Sequence, residues 1–191
     1  MREPILEPLL RKLRIRRVLP SIRRHYNCRL LDIGCGWDAR LLRDVEPYIA
    51  FGTGVDFKVP EMIEGKLRTE NLTLLDSLPY VDKSFDLVTM LAVLEHLENP
   101  QAILTEIRRV LVPAGELVLT VPSRAARPVI EFLAFRLGVI SYEEVADHKA
   151  YYDRVSLTNL LEMTGFCVLE HRYFQLGMNN FCVALKKDTR C

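Results

Sequence analysis

The chain lacks an excess of either charge: 26 Lys and Arg stand against 25 Asp and Glu. A net charge of +1 gives no global attraction to nucleic acid or to a membrane. The cysteines, Cys28, Cys35, Cys167, Cys182 and Cys191, form no CxxC pair and no metal-ligand spacing, so reduced thiols in a cytoplasmic protein are expected. No apolar run is long enough to span a bilayer, and the arginine-interrupted start does not resemble a secretory signal. Repeats and low-complexity linkers are missing as well. A length of 191 residues is then most simply read as one domain, 1–191, able to bury a full core.

What is present is organised around residues 29–42. Leu30, Leu31 and Ile33 make a short apolar run suited to a buried parallel strand. Gly34 and Gly36 break it, and apolar residues at helical spacing resume from Ala39 to Val45. Strand, glycine turn and helix hold a nucleotide-type ligand against a helix N-terminus, because glycine admits close backbone approach and unpaired amides point outward. About twenty residues on, where a dinucleotide fold carries its ribose-binding acid, residues 51–56 read as a second strand ending in Asp56. Cys35, between the glycines, suits a small turn-filling side chain better than a nucleophile.

Residues 1–28 carry Arg11, Lys12, Arg14, Arg16, Arg17, Arg23 and Arg24 interleaved with leucine, isoleucine and valine, and Pro8 and Pro20 bracket an expected amphipathic helix. It packs on one end of a sheet with its arginines in water, or turns a basic face toward anionic lipid or an anionic substrate. Further on, residues 58–68 are compatible with a short helix and 72–75 with a third strand closed by Asp76. Residues 85–92 read as a fourth strand. Asn99 caps a helix that Pro100 opens, and 116–121 form a fifth strand. Residues 122–152 hold a helix near 129–137 and suit a lid over a pocket. Asp153 caps a helix that Gly165 stops, and residues 166–173 and 180–186 form an antiparallel hairpin.

With these residues in place, the chain resembles the class I S-adenosylmethionine-dependent methyltransferases, in particular their broad small-molecule group. The resemblance covers about residues 29–186 and rests on Leu31-Asp-Ile-Gly-Cys-Gly36, Gly54-Val-Asp56, and residues 76–88, 93–96, 109–117 and 160–166. It implies an α/β, Rossmann-like three-layer sandwich with a seven-stranded, mostly parallel sheet and a C-terminal antiparallel hairpin. It also implies S-adenosylmethionine as cofactor. The backbone of Gly34, Cys35 and Gly36 would face the methionine part, and Asp32 would orient that turn or the amino group. Asp56 would accept from the ribose hydroxyls, and Phe57 would pack on the adenine. Asp76 and the Ser77 backbone would meet the adenine edge, and the backbone of Leu91 would line the cofactor.

Two positions depart from the family pattern. Asp38 stands where a third glycine is usual, and its charge would lie near the cofactor's carboxylate. Ala92 stands where metal-holding relatives carry a glutamate, so no metal is expected. A nucleophilic oxygen or acidic carbon needs a base, and His96, following the fourth strand, is the expected catalytic residue. His148, near Tyr151 and Tyr152 and with Asp147 as a partner, is the weaker candidate.

The acceptor expected is a small, partly apolar or lipid-linked molecule, with peripheral membrane contact through the basic N-terminus as an accompanying expectation and nucleic acid disfavoured. Two other readings stay open: a non-catalytic cofactor-binding scaffold, and an NAD(P)-dependent Rossmann oxidoreductase. The second satisfies Gly34-x-Gly36-x-x-Ala39 with Asp56 at the ribose distance.

Overall fold

The computed structural model describes residues 6–187; residues 1–5 and 188–191, Cys191 among them, lie outside the described residues. The strands are β1 (Cys28–Ile33), β2 (Ile49–Asp56), β3 (Met62–Glu64), β4 (Leu67–Asn71), β5 (Phe85–Leu91), β6 (Leu111–Pro122), β7 (Phe166–Phe174) and β8 (Asn179–Lys186). The helices are α1 (Glu7–Arg24), α2 (Arg40–Val45), α3 (Pro100–Val110), α4 (Arg127–Phe135), α5 (Tyr142–Ala146) and α6 (Arg154–Met163). One sheet runs in the order β3-β4-β2-β1-β5-β6-β8-β7. The strands from β4 to β6 are parallel, and β8 and β7 close the sheet antiparallel.

The three layers follow from two-sided strands. Leu31, Ile33, Val88 and Met90 point into one core with Ile103, Ile107, Leu157 and Leu161 from α3 and α6. Leu30 and Leu87 point the other way, onto Ile15, Val18, Ile22, Leu41 and Leu42 from α1 and α2. A parallel strand covered on both faces needs apolar side chains on both, and β1 supplies them at Leu30, Leu31 and Ile33. A third cluster joins Ala134, Ile140 and Val145 to Leu6 and Leu10, so α1 reaches from the sheet to the helices of segment 122–152.

Three expectations are corrected. Residues 58–68 form no helix; they give the antiparallel pair β3 and the start of β4, adding an eighth strand at the sheet edge. The third parallel strand is β4 and not residues 72–75, which leave the sheet while Leu72 and Leu74 stay packed on the core. Pro20 does not end the first helix, because α1 continues through it to Arg24. There Pro20 is exposed, and α1 turns its apolar stripe inward. The expected caps are present: the Ala102 amide donates to Asn99 Oδ1 at 3.3 Å, and Asp153 and Ser156 form a reciprocal capping box on α6.

Candidate active site

Strand order reverses beside β1, which has β2 on one side and β5 on the other. Open parallel sheets hold ligands in the crevice at such a point, beyond the strands' C-terminal ends. The turn leaving β1 places Gly34 and Gly36 at φ 74° and 71°, angles costly for a residue with a Cβ. The amides of Gly34 and Cys35 donate to the Val55 carbonyl at 2.8 and 3.2 Å, tying the turn to the end of β2. A Cβ on Gly34 would lie 2.1 Å from Val93 Cγ2, whereas the nearest atom to one on Gly36 is 3.9 Å away. Gly34 is therefore the packed position and Gly36 the open one.

Asp56, at the end of β2, is joined directly to that turn. The Gly36 amide donates to its Oδ2 at 3.0 Å and the Lys58 amide to its Oδ1 at 2.8 Å. A carboxylate has about four acceptor positions, so each oxygen retains capacity toward a vicinal diol. Asp32 is buried beneath the turn and accepts from the Thr89 hydroxyl at 2.6 Å. Burial pushes its carboxyl up to about 7; the Thr89 bond opposes the shift and the Asp56 charge adds to it. Burial, reinforced by Asp32 and Asp56, also raises the Cys35 thiol well above its ordinary range. Its sulfur fills the space over Gly54, where a Cβ would meet it at 2.9 Å.

Asp38 does not take the left-handed backbone that a third glycine would supply. Ala39 does, at φ 46°. The Asp38 carboxylate lies 3.8 Å from the Arg11 guanidinium of α1, a pairing that spans the N-terminal helix and the glycine turn. Phe57 is exposed just past β2, with the Lys58 ammonium 4.8 Å from its ring centre. Leu91 is half-buried at the end of β5, at the same rim. Asp76 and Ser77 are exposed on the loop between β4 and β5, not at a strand end.

A second group of polar residues begins directly after β5. His96 closes a single helical turn, Leu94–His96, and its Nδ1 lies 3.1 Å from Asp147 Oδ2. Asp147 thus partners His96 and not His148. The His148 ring packs edge-on against His96 at 4.9 Å, and its Nδ1 lies 2.9 Å from the Tyr151 hydroxyl. Burial pushes His148 down to about 4, with the His96 charge acting in the same direction and Asp147 opposing. The Lys149 and Ala150 amides donate to the Glu95 carbonyl at 2.7 and 3.3 Å, pinning this segment over the turn. Beside it opens a cavity of ≈ 460 Å³ lined by Arg124, Arg127, Phe135, Val145, His148 and Tyr151.

Sequence reasoning missed Thr89 and Glu95. Thr89 shows only as a polar residue in an apolar strand, and Glu95 only as the neighbour of His96. Glu95 is 1 % exposed, its Oε2 has no hydrogen-bond partner among the described residues, and burial pushes its carboxyl up to about 8.

A family profile described as a methyltransferase domain matches residues 5–171. A demethylmenaquinone methyltransferase of Tropheryma whipplei is 30% identical over 158 residues, 72% of this chain and 65% of its own length. The alignment to a curated relative from Encephalitozoon cuniculi covers 50% of that protein, so the chain spans about half to two thirds of the length of these relatives. Among solved structures, a chain from the Haloferax volcanii complex of the Trm112 methyltransferase activator and a methyltransferase superposes with TM-score 0.72 at 16% identity, covering 98% of this chain and 96% of that one. An S-adenosylmethionine-dependent methyltransferase from Mesorhizobium loti superposes at 0.67 and 17% identity, covering 88% and 97%.

Proposed function

We propose, from the premise that this chain belongs to the methyltransferase-domain family matched over residues 5–171, that it moves a methyl group from S-adenosylmethionine to a small, partly apolar acceptor. The observation that carries the cofactor half is the 3.0 Å hydrogen bond from the Gly36 amide to Asp56, which joins the open turn and the diol-accepting carboxylate in one nest. The residues fit the cofactor there. Gly36 has space in front of it, Asp56 retains an acceptor position on each oxygen, and the Phe57 ring is exposed for stacking.

In this reading Asp56 holds the ribose, and the backbone of Gly34, Cys35 and Gly36 holds the methionine part. Asp32, through its bond to Thr89, keeps the turn in place. Phe57 packs on the adenine, Asp76 and Ser77 meet its edge, and the Leu91 backbone lines the pocket. Bound there, the cofactor supplies an electrophilic methyl on a sulfonium. The chain's own task is to align the acceptor, exclude water and remove a proton. His96, oriented by Asp147, is the base, and residues 122–152 roof the acceptor.

For the acceptor, the relative named a demethylmenaquinone methyltransferase supports a ring carrying an apolar tail. So do the exposed side chains of α4, Val129, Phe132 and Phe135, next to a cavity that also offers Arg124 and Arg127. Calorimetric titration with S-adenosylhomocysteine tests the cofactor half. Asp56→Ala is expected to weaken binding at least tenfold; unchanged affinity would remove the ribose assignment. Tighter binding of NADH than of S-adenosylhomocysteine would favour the oxidoreductase reading instead.

A further inference from the structure

The cavity beside His148 is walled in part by two arginines whose donors are only partly used. Arg127 donates through Nε to Glu131 Oε1 at 2.8 Å, and its guanidinium lies 5.8 Å from the centre of the Tyr151 ring. Those contacts hold the group in place and leave both Nη atoms without a protein partner among the described residues. Arg124 donates through Nε to the Tyr151 carbonyl at 3.4 Å and pairs through Nη1 with Asp153 at 3.0 Å, so its Nη2 is open as well. The wall that carries them is fixed to the sheet. The Arg124 amide donates to the Tyr152 carbonyl at 3.2 Å and the Tyr152 amide to the Pro122 carbonyl at 3.3 Å. Behind them the buried Asn180 donates through Nδ2 to the carbonyls of Tyr152 and Val121 at 2.9 and 3.2 Å. Both arginines thus start directly after the C-terminal end of β6, on the edge of the sheet where ligands sit.

We infer that this cavity is an anion-recognising subsite. It takes a carboxylate or phosphate carried on an aromatic or other apolar body, with Arg127 and Arg124 as the recognising groups. Taken with the methyltransferase reading, on which the ligand's role as acceptor rests, the acceptor is then an acid and not a neutral ring. The two Nη atoms of Arg127 match two oxygens of one anionic group, the bidentate geometry that lysine cannot supply. Lys149 lines the same cavity, but Asp147 and Glu98 hold its ammonium, each at 3.1 Å. Glu131, the carboxylate in the lining, is committed to Arg127. Phe135, Val145 and Ala150 complete a wall suited to an apolar body. A volume of ≈ 460 Å³ falls within the roughly 300–1,000 Å³ of small-molecule sites. The side chains of Arg124 and Arg127 are 64% and 65% exposed, so solvent screens their attraction for an anion. The discrimination expected is therefore about five- to tenfold, well short of what a buried charge pair would give.

The test titrates the full chain by calorimetry with naphthoate, naphthyl phosphate and the neutral naphthamide, with and without S-adenosylhomocysteine. At least one of the two anions is expected to bind about five- to tenfold more tightly than the amide, and the tighter one names the anionic group. Arg127→Gln should remove most of that preference and Arg124→Gln part of it, while the affinity for naphthamide stays within about twofold. Both side chains are largely exposed, so the substitutions leave the core intact, and unchanged thermal melting checks this. Equal affinity for the amide and both anions, or no binding of either anion, would overturn the subsite. So would a preference that survives in the double variant, or displacement of the anions by S-adenosylhomocysteine, which would put them in the cofactor nest. A chain that binds the anions but not S-adenosylhomocysteine keeps the subsite and loses the acceptor role, so the two failures are told apart.

Discussion

Gly34 has no room for a side chain. An added Cβ would overlap Val93 Cγ2 at 2.1 Å, and the residue sits at φ 74°. Left-handed backbone costs an L-residue about 1–2 kcal/mol and overpacking about 1–3 kcal/mol. Gly34→Ala is accordingly expected to lose about 2–5 kcal/mol in urea unfolding. Asp32 gives a pH signature. Its folded carboxyl titrates near 7, above the ordinary 3.8 of an exposed aspartate, chiefly through burial. The folded state therefore holds a proton that the unfolded chain has released. Stability contributed here is full below about pH 4, falls as pH rises to about 7, and is level beyond. Asp32→Asn removes the cost of the buried charge while leaving an oxygen for Thr89 to donate to. Its gain in unfolding free energy should be on the order of a few kcal/mol at pH 8 and vanish toward pH 4. A gain independent of pH would contradict the assignment.

Among the elements, α6 shows how a local signal sets a boundary. The Ser156 amide donates to Asp153 Oδ1 at 2.8 Å, the Asp153 amide donates to Ser156 Oγ at 3.0 Å, and Gly165 ends the helix at φ 84°. Loss of such a cap costs about 1 kcal/mol. Asp153→Ala should therefore lower Tm by about 2–4 °C in a domain of this size, measured by thermal melting. The β3–β4 pair shows the opposite case. Leu67 and Thr69 are buried while Arg68 between them is exposed, the period of two that marks a strand. Across the short span 58–68, the spacing of charges between Pro60 and Gly65 imitates a helix, and no local feature shows that β2 has an edge left to pair. Residues 72–75 are apolar because Leu72 and Leu74 cap the core from a loop, a role that periodicity cannot separate from a strand.

At the scale of the molecule, α1 is the element whose role depends most on its surroundings. Its basic side chains are largely engaged by the fold: Arg14 pairs with Glu7 at 3.5 Å, Arg17 lies 4.4 Å from the centre of the Phe181 ring, and Arg23 donates to the Tyr48 hydroxyl at 2.8 Å. Its apolar stripe is buried on the sheet, and no helix among the described residues is long and apolar enough to cross a membrane. Through Arg11 the helix also meets Asp38 beside the glycine turn, and a partly exposed pair of this kind contributes at most about 1 kcal/mol. Arg11→Ala should weaken S-adenosylhomocysteine binding by about two- to fivefold. Asp38→Gly in the same chain should restore it, because the carboxylate then no longer stands unbalanced beside the site. Calorimetry on the two variants and their combination checks the coupling.

The glycine turn, the acid ending β2, the capped helices α3 and α6 and the closing hairpin were all written in local sequence, whereas the β3–β4 edge was not. Each of the former follows from backbone freedom, capping or apolar periodicity within a few residues. The His96–Asp147–His148 group was not written there, since its partners come from distant segments; Asp147 and His96 lie 51 positions apart. The same holds for the pairing of Asp38 with Arg11 and the burial that shifts Asp32. Local rules act over a turn or a strand, whereas desolvation and ion pairing depend on which segments the packed core brings side by side, and only the assembled sheet decides that.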